Sequence, residues 1–272
     1  MPMLDFGRAA TRKAEERLTH LSARPFAHRG LHGSGGAVEN SISAFEAAIE
    51  KGLGIELDVQ LTLEAGAVVF HDETLERLTG ETGPVVGRTM KALSQVPLKN
   101  SSDRIWSLQD VLHHIAGRTP LLIEAKVGKN SPIALALAVR RALEGYVGPV
   151  GIMSFHPGIP RWFHEHFPSM LNGLVVSEEN EETAAKWRRT ALARQWSLYH
   201  SRAKFLAYDV RSLPSKSAES FRRTGRRVYT WTVREDAHLP PARAHADQLI
   251  VEGAAAQTVL SEREAVVGSS AA

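Results

Sequence analysis

Short apolar, β-branched runs recur along this 272-residue chain, separated by segments in which apolar positions return every three or four residues. The runs predict strands near Pro25–Arg29, Leu53–Thr62, Leu121–Lys126, Val150–Phe155, Gly173–Val176, Phe205–Asp209, Val228–Val233 and Gln248–Val251. Helical spacing fills the intervals. Ile42, Phe45 and Ile49 share one face of Glu39–Glu50, and Gly52 stands just beyond as a C-cap candidate. Ser107 suits the N-cap of Leu108–Ala116, whose Leu108, Val111, Leu112 and Ile115 make a buried stripe. Ser131-Pro132 opens Ile133–Leu143 with a cap and an N1 proline in order. Glu178–Tyr199 and Ser215–Thr224 supply two more helices.

Eight strands alternating with helices predict the α/β class and a single (β/α)8 TIM barrel. An open doubly wound sheet is the alternative, but no Gly-rich phosphate fingerprint follows an early strand. One interval breaks the rhythm. Asp72–Trp106 is too long for an ordinary connection and carries Gly80, Gly83, Pro84, Gly87 and Pro97, so it predicts an insertion near the active-site mouth. One domain is expected over residues 1–266, with a loose tail at 267–272.

Composition removes several function classes. There is no cysteine, which excludes disulfides, thiolate catalysis and Cys-ligated zinc. The 33 basic and 30 acidic residues are interspersed, and the basic group Arg222-Arg223 to Arg226-Arg227 follows a helix end, so no nucleic-acid partner is expected. The first 21 residues are charged rather than apolar, and no run approaches the roughly 18 residues of a membrane span. A cytoplasmic location without integral membrane association is the expectation.

Four clusters of chemistry fall at predicted strand ends, where barrel enzymes keep their active sites. His28-Arg29 offers a proton-transfer group beside a cationic fork suited to phosphate. Glu56 and Asp58 are two apart on a strand and share a face, directed into the barrel by apolar Ile55, Leu57 and Val59. Leu63–Gly66 reads as a hairpin turn; pairing Thr62 with Ala67 places His71 opposite Asp58. Glu124 and Lys126 close a further apolar strand. Each motif alone also admits a plain reading: a chance pair, a solvated acidic strand, a histidine bonded to its turn, a Glu–Lys ion pair. Together they give Glu56, Asp58 and Glu124 for a metal, His28 and His71 for proton transfer, and Arg29 and Lys126 for anionic charge. Hard oxygen ligands favour Mg²⁺ or Ca²⁺. Without a cation, three converging carboxylates would repel one another and any phosphate, so the set suits metal-assisted attack on a phosphodiester.

The same residues resemble a known family. His28-Arg29-Gly30, Glu39-Asn40-Ser41, Glu56-Leu57-Asp58-Val59, Val69-Phe70-His71-Asp72 with Leu75-Arg77-Leu78-Thr79-Gly80, Glu124-Ala125-Lys126, Ser154-Phe155 and Trp231-Thr232 look like the glycerophosphodiester phosphodiesterases, in order from about Arg24 to Val233. The resemblance implies a TIM barrel with a small cap inserted after the second strand. It implies hydrolysis of a glycerophosphodiester to glycerol 3-phosphate and an alcohol, with His28 and His71 as acid and base and Glu56, Asp58 and Glu124 holding a divalent ion. Arg29 and Lys126 would contact phosphate, and Phe155 and Trp231 would line the pocket. In similar enzymes the glycerol's neighbouring hydroxyl attacks first, giving a cyclic phosphate.

Departures from the pattern are Val38 before Glu39-Asn40-Ser41, Ala65-Gly66 in the hairpin turn and Trp106-Ser107-Leu108. The largest is Leu249-Ile250-Val251-Glu252-Gly253-Ala254 at the last strand, which is expected to alter the pocket floor or its specificity. His32 and His156 are further candidates near strand ends, while His113, His114, His164 and His166 read as surface residues on helices. Competing readings are a lysophospholipase D or other phosphodiesterase, an inactive barrel that binds phosphate compounds, and a metal-dependent aldolase-like barrel.

Overall fold

The computed structural model describes residues 3–33, 36–179 and 190–270. Eight parallel strands close on themselves: β1 (Phe26–Ala27), β2 (Gly54–Leu61), β5 (Leu121–Ala125), β6 (Val150–Ser154), β7 (Leu171–Val176), β8 (Phe205–Asp209), β9 (Arg227–Val233) and β10 (Gln248–Val251). Strand β1 pairs with both β10 and β2, which makes the sheet a barrel. The predicted strands are all present, within a few residues of their expected ends.

Helices cover the outside: α2 (Ile42–Glu50), α4 (Leu108–Ile115), α5 (Pro132–Ala142), α6 (Gly158–His166), α7 (Ala191–Ser201), α8 (Lys216–Arg223), α9 (Leu239–His245) and α10 (Gly253–Ser270). Ser41, Ser107, Ser131 and Ser215 each accept a backbone N–H of the first turn, as N-caps do. Helix α2 therefore begins at Ile42, three residues later than the apolar spacing suggested, because Ser41 caps it. Of the helix read at Glu178–Tyr199, residues 180–189 lie outside the described residues; Glu178 and Glu179 are not helical, and α7 begins at Ala191 behind the N-cap Thr190. Helix α10 continues to Ser270, so most of the segment read as a tail carries on a helix.

Alternation sorts the strand residues. Ile55, Leu57 and Val59 of β2 pack outward against the helices, in one cluster with Phe45, Val111, Leu135 and Phe163. The barrel interior is filled by Phe26, Leu122, Met153, Leu171, Val175, Phe205, Tyr229 and Ile250. Two glycines make room for its large rings. A Cβ on Gly54 would sit 2.6 Å from the Phe26 ring, and one on Gly173 would sit 2.2 Å from the Phe205 ring. At the N-terminal end of the barrel, helix α1 (Met3–Leu21) puts fully buried Leu21 into this interior cluster. There Ser22 Oγ lies 2.7 Å from the Tyr229 hydroxyl, and Gln248 Nε2 donates to the Ser22 carbonyl.

Beyond β2 the chain turns back as β3 (Ala67–Val69), pairs with β4 (Trp106–Ser107), and between them forms the insertion with short helix α3 (Met90–Leu93). The insertion has its own core of Phe70, Leu75, Val85, Leu93, Val96, Leu98 and Ile105. The hairpin register differs from expectation. Leu61 pairs with Ala67, and the Phe70 N–H donates to the Asp58 carbonyl at 3.0 Å, so Phe70 rather than His71 stands opposite Asp58. The turn contains three residues, with Ala65 left-handed (φ 58°) and Thr62 N–H bonded to the Gly66 carbonyl, which shifts the count by one. Among the described residues no helix is long and apolar enough to cross a membrane.

Candidate active site

Glu56 and Asp58, two apart on β2 and each 1% exposed, point into the C-terminal mouth. Strand β5 lies beside β2 with Glu124 in register with Asp58. One oxygen from each of the three carboxylates lies within 4.8 Å of the others. Glu56 Oε1, Asp58 Oδ1 and Glu124 Oε1 are buried with no hydrogen bond. Lys126 Nζ stands 2.7 Å from Glu124 Oε1 and 3.3 Å from Asp58 Oδ1, as ion-pair contacts rather than aligned hydrogen bonds.

The electrostatics separate these groups. Burial, with Asp58 and Glu124 alongside, pushes Glu56 well above the ordinary carboxylate range. Burial would also raise Asp58, but Lys126, His71 and Arg29 outweigh it and hold Asp58 below that range. Burial would lower Lys126, yet Glu124 and Asp58 keep it above its usual value. Asp58 and Glu124 are balanced by Arg29 and Lys126, and a bound divalent cation would let Glu56 ionise as well. Carboxylate oxygens without hydrogen bonds, in a set without thiolates, fit a hard divalent cation such as Mg²⁺ or Ca²⁺.

The chain leaves β1 through two left-handed residues, Arg29 (φ 57°) and Gly30 (φ 80°). A Cβ at Gly30 would meet Ala44 at 2.8 Å, so glycine is required there. The turn brings the Arg29 N–H to Glu56 Oε2 (3.1 Å), its Nη1 to Glu39 Oε1 (2.8 Å) and its Nε to within 3.3 Å of Asp58 Oδ2. Asn40 braces Asp58 from both sides, donating from Nδ2 to Asp58 Oδ2 and accepting the Asp58 N–H.

His28 is buried, with Nδ1 2.6 Å from Glu252 Oε2 and Nε2 4.0 Å from Glu56 Oε2. Burial lowers its pKa to about 4, against the Glu252 hydrogen bond that would raise it. Burial would raise Glu252, but the same hydrogen bond brings it down to about 2. An ionised carboxylate only accepts, so the neutral imidazole carries its proton on Nδ1 and turns Nε2 toward Glu56. His71 Nδ1 lies 2.8 Å from Asp72 Oδ1. Phe155, which follows β6 beside β5, meets Trp231 edge-on with centroids 5.5 Å apart, and Lys126 Nζ is 5.9 Å from the Phe155 ring. Trp231 is fixed by its Nε1–H to the Ala207 carbonyl.

A model of the glycerophosphoryl diester phosphodiesterase family matches residues 28–259. The chain belongs to this family. A glycerophosphodiester phosphodiesterase of Caldanaerobacter subterraneus is 40% identical over 221 residues, covering 76% of this chain and 84% of that protein. A human lysophospholipase D is 31% identical over 121 residues, 40% of this chain and 38% of that one. Among solved structures, an Oleispira antarctica phosphodiesterase in complex with the product sn-glycerol-3-phosphate superposes with a TM-score of 0.71. It is 21% identical and covers 85% of this chain and 94% of its own, a likeness of fold. The motif resemblance, the barrel and the enzyme class all stand.

In this chain the structure brings His28, Arg29, Glu56, Asp58, Glu124 and Lys126 into one charged group, with His71 beside Asp72 at its edge and Phe155, next to Lys126, packed on Trp231. His156 is tied instead to the start of α6, its Nδ1 accepting the Gly158 N–H. His32 has a buried Nε2 with no hydrogen bond and contributes to lowering Glu252. His113, His114, His164 and His166 are exposed. Sequence reasoning passed over three polar residues. Glu252 sits in the stretch that departs most from the family pattern, and what it does is hold His28. Glu39 and Asn40 were visible as a motif but not as partners of Arg29 and Asp58; their signal was a polar pair directly before an N-cap serine.

Proposed function

We propose that this protein hydrolyses glycerophosphodiesters, releasing glycerol 3-phosphate and the head-group alcohol. The observation that carries the reading is the set of three buried carboxylate oxygens without hydrogen bonds, flanked by two cations and two histidines. The family membership and the product named for the Oleispira structure support the substrate class.

Glu56, Asp58 and Glu124 would hold Mg²⁺ or Ca²⁺, which supplies positive charge where negative charge develops on the phosphoryl oxygens. Arg29 and Lys126 add fixed cations for the non-bridging oxygens. His28, neutral and oriented by Glu252, has the Nε2 lone pair free to take the proton of the attacking glycerol hydroxyl, and water then opens the resulting cyclic phosphate to glycerol 3-phosphate. His71, with Nδ1 engaged by Asp72, delivers a proton from Nε2 to the departing alkoxide. Phe155 and Trp231 shelter the pocket wall beside Lys126.

Purified protein incubated with glycerophosphocholine and Mg²⁺ or Ca²⁺ releases glycerol 3-phosphate, read by a coupled dehydrogenase. EDTA abolishes the release. His71→Ala loses far more activity on glycerophosphocholine than on a glycerophosphodiester with a p-nitrophenol leaving group, which departs without a proton. Folded, metal-loaded protein that releases nothing from several head groups would sink the reading.

A lysophospholipase D activity is the second reading, favoured by exposed apolar side chains near the hairpin tip. Leu63 is 63% exposed and Val86 36%, and the Leu63 N–H bonds to the Arg88 carbonyl of the insertion. Lysophosphatidylcholine as a parallel substrate decides between the two.

A further inference from the structure

Arg77 belongs to the insertion, yet its guanidinium grips two carboxylates that each hold a residue of the site. Nε and Nη2 donate to Asp72 Oδ2 and Oδ1 at 2.5 and 3.0 Å. Nη1 and Nη2 donate to Glu39 Oε2 and Oε1 at 2.8 and 2.7 Å. The same oxygens face inward. Glu39 Oε1 accepts Arg29 Nη1 at 2.8 Å, and Asp72 Oδ1 lies 2.8 Å from His71 Nδ1. A single fork therefore links His71 to Arg29 through Asp72 and Glu39, and Arg29 in turn reaches Asp58.

We infer that Arg77 is a positioning residue that sets the orientation of both His71 and Arg29, so that the insertion completes the site rather than only covering it. This rests on the reading of His71 as a proton-transfer group and Arg29 as a phosphate ligand. An exposed ion pair contributes little to stability, and Arg77 is 48% exposed on its side chain. What the pairing supplies is direction. A planar fork fixes two carboxylates at once, and a lysine ammonium, a point charge, does not.

Arg77→Lys keeps the charge and removes the fork. It lowers kcat/KM about 10- to 100-fold, with kcat falling through His71 and KM rising through Arg29. In a Glu39→Gln/Asp72→Asn background the same change costs less than about twofold further, since residues acting as one unit are not additive. A role confined to pinning the insertion predicts a lower melting temperature with unchanged kcat and KM, or penalties that multiply, and either result overturns the inference. The ¹⁵N signal of the His71 imidazole, assigned by its loss in His71→Ala, gives an independent readout. Arg77→Lys shifts or broadens it; an unchanged signal overturns the inference even if the wild-type protein hydrolyses no diester, an outcome that would defeat the functional reading alone.

Discussion

The two sides of the barrel mouth treat a buried carboxylate in opposite ways. At the ends of β2 and β5, Glu56, Asp58 and Glu124 each keep an oxygen without a hydrogen bond. Across the barrel at the end of β8, Asp209 is as deeply buried, 1% exposed, yet both its oxygens are engaged. Oδ1 accepts the Arg211 N–H and Nε, and Oδ2 accepts Ser177 Oγ and Arg211 Nη2. Burying a charge is unfavourable unless it is paired. Asp209 meets that condition with its neighbours and is a structural device. The trio meets it only in part: Lys126 and Arg29 stand close, yet one oxygen of each carboxylate keeps no hydrogen bond, and that remaining demand fits a cation.

If the contrast is right, substitutions on the two sides have opposite signatures. Glu56→Gln gives the largest effect, lowering activity at least about 10²- to 10³-fold through loss of preorganised charge. It also raises the melting temperature of EDTA-treated protein at pH 7. There the unfolded carboxyl is ionised freely while the folded one resists ionisation, so removing it is a gain. That gain vanishes below the ordinary value of 4.5, where both states are protonated. A melting temperature that falls would break the comparison. Glu252→Gln, which keeps shape and loses charge, lowers kcat about 10- to 100-fold with a small change in KM, because His28 loses its orienting carboxylate.

Asp209→Asn reverses the pattern. It destabilises the protein by about 2 kcal/mol in urea unfolding, on the scale of a broken part-exposed ion pair, and leaves kcat unchanged. The smallest effect calibrates the rest. Glu46 on the outer wall joins His114 and Arg118, and Arg118 holds its carboxyl below the usual range. Glu46→Gln costs at most about 0.5 kcal/mol after solvent screening. The cost is fully present above 4.5 and disappears as the pH falls through the depressed folded value.

Much of this arrangement was legible in the residues. Strand alternation around Glu56 and Asp58 gave the direction of both side chains, because Ile55, Leu57 and Val59 must meet the helices. Serine caps located two helix starts, at Ser107 and Ser131, without help from tertiary contacts. What was not legible depended on contacts distant in sequence or on one backbone angle. Glu252 meets His28 across 224 residues, and no local pattern announces such a pair. The hairpin register turned on Ala65 adopting a left-handed conformation usually left to glycine. Arg77 was quoted as part of a motif, but its two carboxylates come from either side of β2 and β3 and converge only once the barrel closes.

The helix that plugs the far end of the barrel carries a consequence for traffic. With Leu21 seated against the position of Gly151 and the interior filled by Phe26, Phe205 and Tyr229, the bottom is shut. Among the described residues the mouth beside Arg29 and Lys126 is then the way in and out that the proposed reaction would use. In that reaction the alcohol carries no phosphate to hold it, while the phosphorylated fragment would have to leave Arg29 and Lys126 before another molecule could bind. A chamber closed at its base thus predicts that added glycerol 3-phosphate inhibits the proposed reaction competitively, because product and substrate would meet at the same mouth.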